Sequence, residues 1–140
     1  MFLLATNVVS ELRKVGDGTA NSHVIKWVSG QDASTLFISV LTLMELEIGI
    51  LRIERRDVEQ GKRLRSWFER HVLPEFQERT LPIDAAVALK CARLHVPDPR
   101  AERDALIAAT AMVHGMTVVT GNRTDFESTG VAFIDPWAET

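Results

Sequence analysis

Three carboxylates in this chain, Glu45, Asp104 and Asp125, each stand at the edge of an apolar helix or strand signal. Carboxylates that converge repel one another, by roughly 4 kcal/mol per pair at about 4 Å and an effective dielectric of ~20, unless a cation or a proton neutralises them. A hard divalent cation is the economical solution. Oxygen-only ligands favour Mg²⁺ or Mn²⁺, and Mg²⁺ usually binds through a few carboxylates, retained waters and a substrate phosphate. The reaction class that follows is phosphodiester hydrolysis, in which the metal activates a water and stabilises charge on the phosphate and leaving oxygens. A fourth position fits this pattern by location but not by chemistry. Ala5 closes the apolar run Phe2 to Leu4, at the carboxyl end of a first strand, where ligands and metals bind in α/β sheets. Its methyl group supplies no ligand.

Singly, each carboxylate also has a plain structural role. Glu45 completes a capping box with Thr42, Asp104 complements a helix dipole, and Asp125, three residues after Asn122 in a glycine-containing loop, fits a turn or cap. The weight rests on the constellation. Other site chemistries have little support. His23, His71, His95 and His114 lack zinc-like spacing, Cys91 stands alone in an apolar helical stretch, and neither a P-loop nor a G-x-G-x-x-G occurs.

The elements that must position these residues read as strands alternating with helices. Phe2 to Leu4 is a buried strand, with Thr6 or Asn7 capping a helix to Arg13 that the Gly16, Asp17, Gly18 cluster ends. Asn21 or Ser22 caps a second helix, and Thr35 to Val40 is a β-branched and aromatic strand. Thr42 opens the helix carrying Glu45, Leu46, Ile50 and Leu51, and a further helical stretch runs from about Asp57 to Phe76 as its antiparallel partner. After Leu81 to Ile83, Asp84 starts one helix, and the Asp98-Pro99 pair starts another that ends near Gly115. Ala101, Ala105, Ala108, Ala109 and Ala111 let that last helix approach a sheet closely, fixing Asp104, with Ile107 adding bulk. Met116 to Thr120 is a buried strand, Gly121 to Asp125 a polar loop, and Val131 to Ile134 a final strand. This alternation predicts a three-layer α/β fold with a central parallel sheet flanked by helices.

Residues 1–140 make a single domain by the usual size prior, and 46% hydrophobic with 25% charged residues excludes a disordered or fibrous class. The net charge of -3 does not advertise nucleic-acid binding, although local charge differs: from Arg52 to Arg70 there are seven basic residues against four acids. That excess suits a phosphate-contacting rim and a charge-mixed, solvated helix face equally well, and the sequence leaves both open. One cysteine, no secretory pattern and no apolar run near 20 residues make a cytoplasmic location without membrane integration the expectation.

The stretches FLLATNVVSEL, SVLTLMELEIG around Glu45, RAERDALIAATAMVHGMTVVTGNRTDFE around Asp104 and Asp125, and the closing VAFIDPW resemble a PIN-domain ribonuclease of the VapC or FitB-like type. The likeness spans essentially the whole chain. It implies an endoribonuclease toxin of a toxin–antitoxin pair, dependent on Mg²⁺ or Mn²⁺ held by Glu45, Asp104 and Asp125, with Thr6, Asn7, Thr120 and Asn122 as supporting polar groups. It also implies a homodimer, a VapB-type antitoxin whose tail enters the acidic groove, and operator DNA met only through that antitoxin. Two positions depart from the pattern. Gly121 stands where relatives often carry arginine, and Ala5 replaces the first aspartate of the acidic set. The second departure implies weak Mg²⁺ binding and a nuclease severely impaired or dead, with an engineered substitution the expected origin and a natural inactive paralogue the other. A non-catalytic antitoxin-binding domain and a structure-specific DNA nuclease are the alternative readings.

Overall fold

The structure, a computed structural model, describes residues 1–138. Its strands are short: β1 (Phe2–Leu4), β2 (Leu36–Ser39), β3 (Thr80–Leu81), β4 (Thr117–Val119) and β5 (Phe133–Ile134). They form one sheet in the order β3-β2-β1-β4-β5, and every pairing is parallel. Parallel strands require crossovers, and the crossovers cover both faces with helices, so the strands are near-continuous apolar runs. Their side chains alternate between two cores. Leu4, Ile38 and Val119 pack on one face with Val8, Val9, Leu46 and Ile50, whereas Leu3 and Val118 pack on the other with Ile107, Ala108, Ala111 and Phe126. The three-layer architecture is the one the alternation of elements implied.

The first face is covered by α1 (Thr6–Arg13), α2 (Ser22–Ser29), α3 (Val40–Arg56) and α4 (Val58–Trp67), the last running through a π-helical turn at Phe68–Val72 into α5 (Leu73–Phe76). The second face carries α6 (Ala85–Leu94), α7 (Glu102–His114) and α8 (Arg123–Glu127). Asn21 caps α2 by accepting from the His23 and Val24 amides, and Asp84 caps α6 by accepting from Val87. Gly115 ends α7 in the left-handed conformation at φ +65°, which lets the Met116 amide reach the Ala111 carbonyl at 2.8 Å.

Four expectations about element starts are corrected. Neither Thr6 nor Asn7 caps α1; Ala5 holds the cap position in extended backbone without a side-chain bond, and its carbonyl accepts from Val8 at 3.0 Å. Ser39, not Thr42, caps α3: its hydroxyl accepts from the Leu41 amide at 3.0 Å, so β2 runs straight into the helix. Asp98-Pro99 does not open α7, which starts at Glu102 after a turn that Arg100 ties down through the Leu94 carbonyl (2.6 Å) and the Ser128 carbonyl (2.9 Å). The stretch expected as a polar loop to Asp125 is helical from Arg123, because Phe126 is buried beneath it.

The small face of α7 serves two contacts rather than one. Ala108 and Ala111 approach the sheet, Ala105 and Ala109 pack against Val87 and Cys91 of α6, and Ala101 is exposed. The helix pair α3 and α4 is pinned by Arg65, which reaches Glu47 and, at 3.0 Å, Glu54. Gly61 permits their close approach, since a Cβ there would lie 2.8 Å from the Glu54 Cα.

Candidate functional site

The chain leaves β1 in one direction along the sheet toward β2 and returns to pair β4 on its other side, which makes the carboxyl ends of β1 and β4 the switch point where crevices form. Leu4 is level with Val119, and the Ala5 amide donates to the Val119 carbonyl at 2.9 Å. A cleft of about 280 Å³ opens there, lined by Ala5, Thr6, Asn7, Ser10, Glu45, Asp104, Ile107, Thr120, Asn122 and Phe126. Ala5 and Asn122 thus line one cleft.

Glu45 comes to this cleft from the second turn of α3, too far along the helix to act as a capping-box partner. Its Oε1 accepts from the Thr6 hydroxyl at 2.7 Å. A hydroxyl donates only one proton, so with that proton on Glu45 the Thr6 oxygen is left to accept from Thr42 Oγ1 at 3.1 Å. Glu45 Oε2 lies 3.7 Å from a guanidinium nitrogen of Arg103. Neither Thr42 nor Arg103 was marked in the sequence as a site residue. Arg103 was readable only as the neighbour of Asp104, and Thr42 only as a cap.

Asp104 sits in the first turn of α7. A carboxylate there gains from the helix dipole, yet burial, then the charge of Asp125, then that of Glu45 push its carboxyl above the usual carboxylate value. A residue whose purpose was the dipole would be shifted the other way. Burial first, and the neighbouring negative charges of Asp125 and Glu45 after it, set the direction of the shift.

Asp125 does not line the cleft shared by Glu45 and Asp104. It lies across Asp104 in a neighbouring cleft of about 250 Å³ with Pro99, Arg100, Thr124 and Ser128. Asp104 is thus the partition between the two spaces. The turn that carries Asp125 is clamped to α1: Asn7 Nδ2 donates to Thr120 Oγ1 at 3.3 Å, the Gly121 amide to Asn7 Oδ1 at 3.3 Å, and the Asn122 amide to Thr120 Oγ1 at 3.0 Å. Thr120 is fully buried. Asn122 occupies the cap position of α8 without a side-chain cap bond and faces the cleft instead. At Gly121, a Cβ would lie 2.9 Å from the Trp137 ring, so a longer side chain there would have to displace that tryptophan.

The donor set suits a hard divalent cation in kind, because it is carboxylate and neutral oxygen throughout. In number it falls short. Among the described residues no three Asp, Glu, His or Cys side chains come together closely enough to hold an ion, and Ala5, which lines the cleft of Glu45 and Asp104, offers only a methyl group.

A family model described as a PIN domain matches residues 2–131. The chain is 37% identical to the plasmid stability protein StbB of Pseudomonas syringae pv. tomato, over 98% of this chain and 99% of that protein. It is 34% identical to a VapC ribonuclease of Sinorhizobium fredii, over 98% of each, and 32% identical to the toxin FitB of Neisseria gonorrhoeae, over 98% of this chain and 99% of FitB. Among solved structures, FitAcB from Neisseria gonorrhoeae superposes with a TM-score of 0.88 at 31% identity, covering 98% of this chain and 99% of that one. A FitAB complex bound to a DNA fragment gives a TM-score of 0.89 at 30% identity, covering 100% of this chain and 98% of that one.

Proposed function

The chain belongs to the PIN-domain family, and from that premise we propose that it is the toxin of a VapBC-type pair. Its fold is built to hydrolyse RNA phosphodiester bonds, and this form is disabled for cleavage at Ala5. The observation that carries the reading is the cleft at the carboxyl ends of β1 and β4 that brings Glu45 to Asp104, whose carboxyl is raised by burial and then by the charges of Asp125 and Glu45. A carboxyl shifted by burial and specific charged neighbours in a cleft marks a candidate functional site. The relatives support the substrate class, since one is a VapC ribonuclease and another the toxin FitB.

Mg²⁺, with Mn²⁺ as a substitute, is the ion this reading requires, and Glu45, Asp104 and Asp125 are its acidic positions. Because the set is short at Ala5, no catalytic step is assigned to this chain through a metal. What its own residues do is narrower: Thr6 and Arg103 hold Glu45, and Asn7 and Thr120 fix the turn that presents Asn122 and Asp125. The reading also carries a VapB-type antitoxin as partner, operator DNA reached through that partner, and a homodimer. The similar FitAB complex, bound to a DNA fragment, supports the partner and DNA parts of this reading.

The test compares this chain with its Ala5→Asp variant on single-stranded RNA, with Mg²⁺ and with EDTA. The variant is expected to cleave with Mg²⁺ and to be silent in EDTA. This chain is expected to lie at least ~100-fold lower, since losing even an outer-shell partner of a metal costs about 10–100-fold. If both behave alike, position 5 is not part of the acidic set. A variant that gains no activity while still binding an antitoxin would favour the non-catalytic reading, which Ala5 itself also suits.

A further inference from the structure

Of the seven basic residues from Arg52 to Arg70, two are held in ion pairs, one lines a groove, and Arg52, Arg55, Arg56 and Arg70 do neither. Arg65 is held between Glu47 and Glu54, and Lys62 stands 3.8 Å from Glu59. Arg63 is exposed and has no ion-pair partner among the described residues. It lines a groove of about 370 Å³ with Arg13, Gln60, Ser66, Trp67 and His71. That groove continues, through a stretch that shares Arg13, Gln60 and Trp67, to Thr6, Ser10 and Glu45. Thr6, Ser10 and Glu45 in turn line the cleft of Ala5 and Asp104. Three adjacent clefts, each sharing lining residues with the next, thus form a track from the acidic cleft along α1, α3 and α4 to a basic and aromatic end.

We propose that this track is the substrate subsite flanking the scissile bond, in which Arg13 and Arg63 each take a separate backbone phosphate of single-stranded RNA and Trp67 faces a base. The inference rests on the reading of the chain as an RNA-directed PIN domain. Charge complementarity selects the occupant. An acidic cleft repels a polyanion, so a strand that must cross it needs cations on its flank, and the arginines supply them at the far end of the same groove. Asp17 is the one acid that lines this end, and it lies 3.7 Å from Arg13 at a largely exposed position. An arginine pair beside an aromatic ring is the combination that binds single strands without base-specific contacts, by phosphate attraction together with stacking. Ser10 and Gln60 add neutral hydrogen-bonding groups along the way.

Because this chain is expected not to cut, it can be titrated directly with a short fluorescent single-stranded RNA, by anisotropy over a range of KCl concentrations. Each phosphate contact on a single strand contributes about 0.7 to the slope of log affinity against log salt. Arg63→Gln and Arg13→Gln are each expected to flatten the slope by about 0.7, and the double variant by about twice that. Trp67→Phe, which keeps a ring in the groove wall, is expected to bind more tightly than Trp67→Leu. An Arg55→Gln, Arg56→Gln double variant, at the end of α3 and outside the groove, is expected to keep the parent slope. Circular dichroism and melting of each variant separate misfolding from lost contacts. The proposal is overturned if the groove variants keep the parent slope while the Arg55, Arg56 variant flattens it. It is also overturned if the groove variants weaken only the binding of an antitoxin peptide. Cleavage by Ala5→Asp, run alongside, separates the failures: cleavage with unchanged slopes removes the subsite alone, whereas neither RNA binding nor cleavage removes the parent reading with it.

Discussion

Introducing a carboxylate at position 5 is expected to cost stability in the absence of metal and to make the protein's melting temperature respond to Mg²⁺. Ala5 is 4% exposed and shares a cleft with Glu45 and Asp104. An aspartate there adds a charge beside a carboxyl that burial, Asp125 and Glu45 already push up. At separations of about 4–6 Å and an effective dielectric of ~20, one such neighbour is worth roughly 3–4 kcal/mol of repulsion. Access of solvent to an open cleft and partial protonation reduce that to about 3 kcal/mol. There is a compensating gain. Position 5 is the uncapped start of α1, and an aspartate at a helix cap is worth about 1 kcal/mol. The net loss in Ala5→Asp is therefore about 2 kcal/mol, or roughly 6–8 °C in a chain of this size.

Differential scanning calorimetry in EDTA and across a Mg²⁺ titration measures both halves of the argument. In EDTA the variant is expected to melt about 6–8 °C below this chain. At Mg²⁺ about 100-fold above its dissociation constant, binding returns about 2.7 kcal/mol, enough to bring the variant level with the parent or above it. This chain, with its incomplete donor set, is expected to move by less than about 2 °C over the same titration. A variant that melts with the parent in EDTA and ignores Mg²⁺ would mean that position 5 and the two acids do not converge on a common point, and the reasoning would fail at its geometric step.

Two further outcomes follow from single residues. Asp104 has its folded-state carboxyl raised, so its protonated form favours the fold below the unfolded value of 3.8, and that contribution is lost as pH rises through the raised value. Asp104→Asn is accordingly expected to melt above the parent at neutral pH, with the difference closing as pH falls toward the unfolded value of 3.8; a difference independent of pH would assign the gain to something other than charge. At Gly61 a methyl group would meet the Glu54 backbone at 2.8 Å, so Gly61→Ala sets a helix-propensity gain of about 1 kcal/mol against overpacking of about 1–3 kcal/mol. A fall of roughly 3–6 °C in the thermal midpoint is expected, and a rise would mean that α3 and α4 separate without cost.

The parts of this fold that could be read from the chain were those whose cause is local. Asn21 and Asp84 were legible as caps because each bonds an amide two or three residues on. The strands were legible because apolar runs bounded by polar turns leave few other choices. Glu45 was harder. Thr42-x-x-Glu45 satisfies the local capping pattern, but the helix opens at Val40 under Ser39, and what holds Glu45 is Thr6, 39 positions away. Likewise, Asp98-Pro99 is a good start for a helix by composition, yet Arg100 ties the turn after it to Ser128, 28 positions on. The separation of Asp125 from Glu45 by Asp104 was not legible at all, because it depends on a short helix that exists through the burial of Phe126. Within the Arg52 to Arg70 stretch, the sequence counted charges that the structure sorts by partner: Arg65 is consumed in ion pairs, and Arg63 is left for the groove.

Position 5 shows how separable the fold and the chemistry are in this chain. Everything the fold requires of that residue is done by backbone: the amide completes the pairing with Val119, and the carbonyl starts α1 by accepting from Val8. The side chain is asked only to be small and dry, which alanine satisfies better than a third carboxylate would beside Glu45 and Asp104. On the proposed reading, alanine in place of an acidic residue there would give up function while relieving charge repulsion, the usual direction of exchange between activity and stability. The residues expected to carry RNA binding, Arg13, Arg63 and Trp67, lie at the other end of the track and owe nothing to position 5. It follows that cleavage can be lost here without loss of recognition. A chain that still grips RNA but does not cut it would therefore report on the groove alone, which is why the salt dependence of binding in this form measures the subsite free of the reaction.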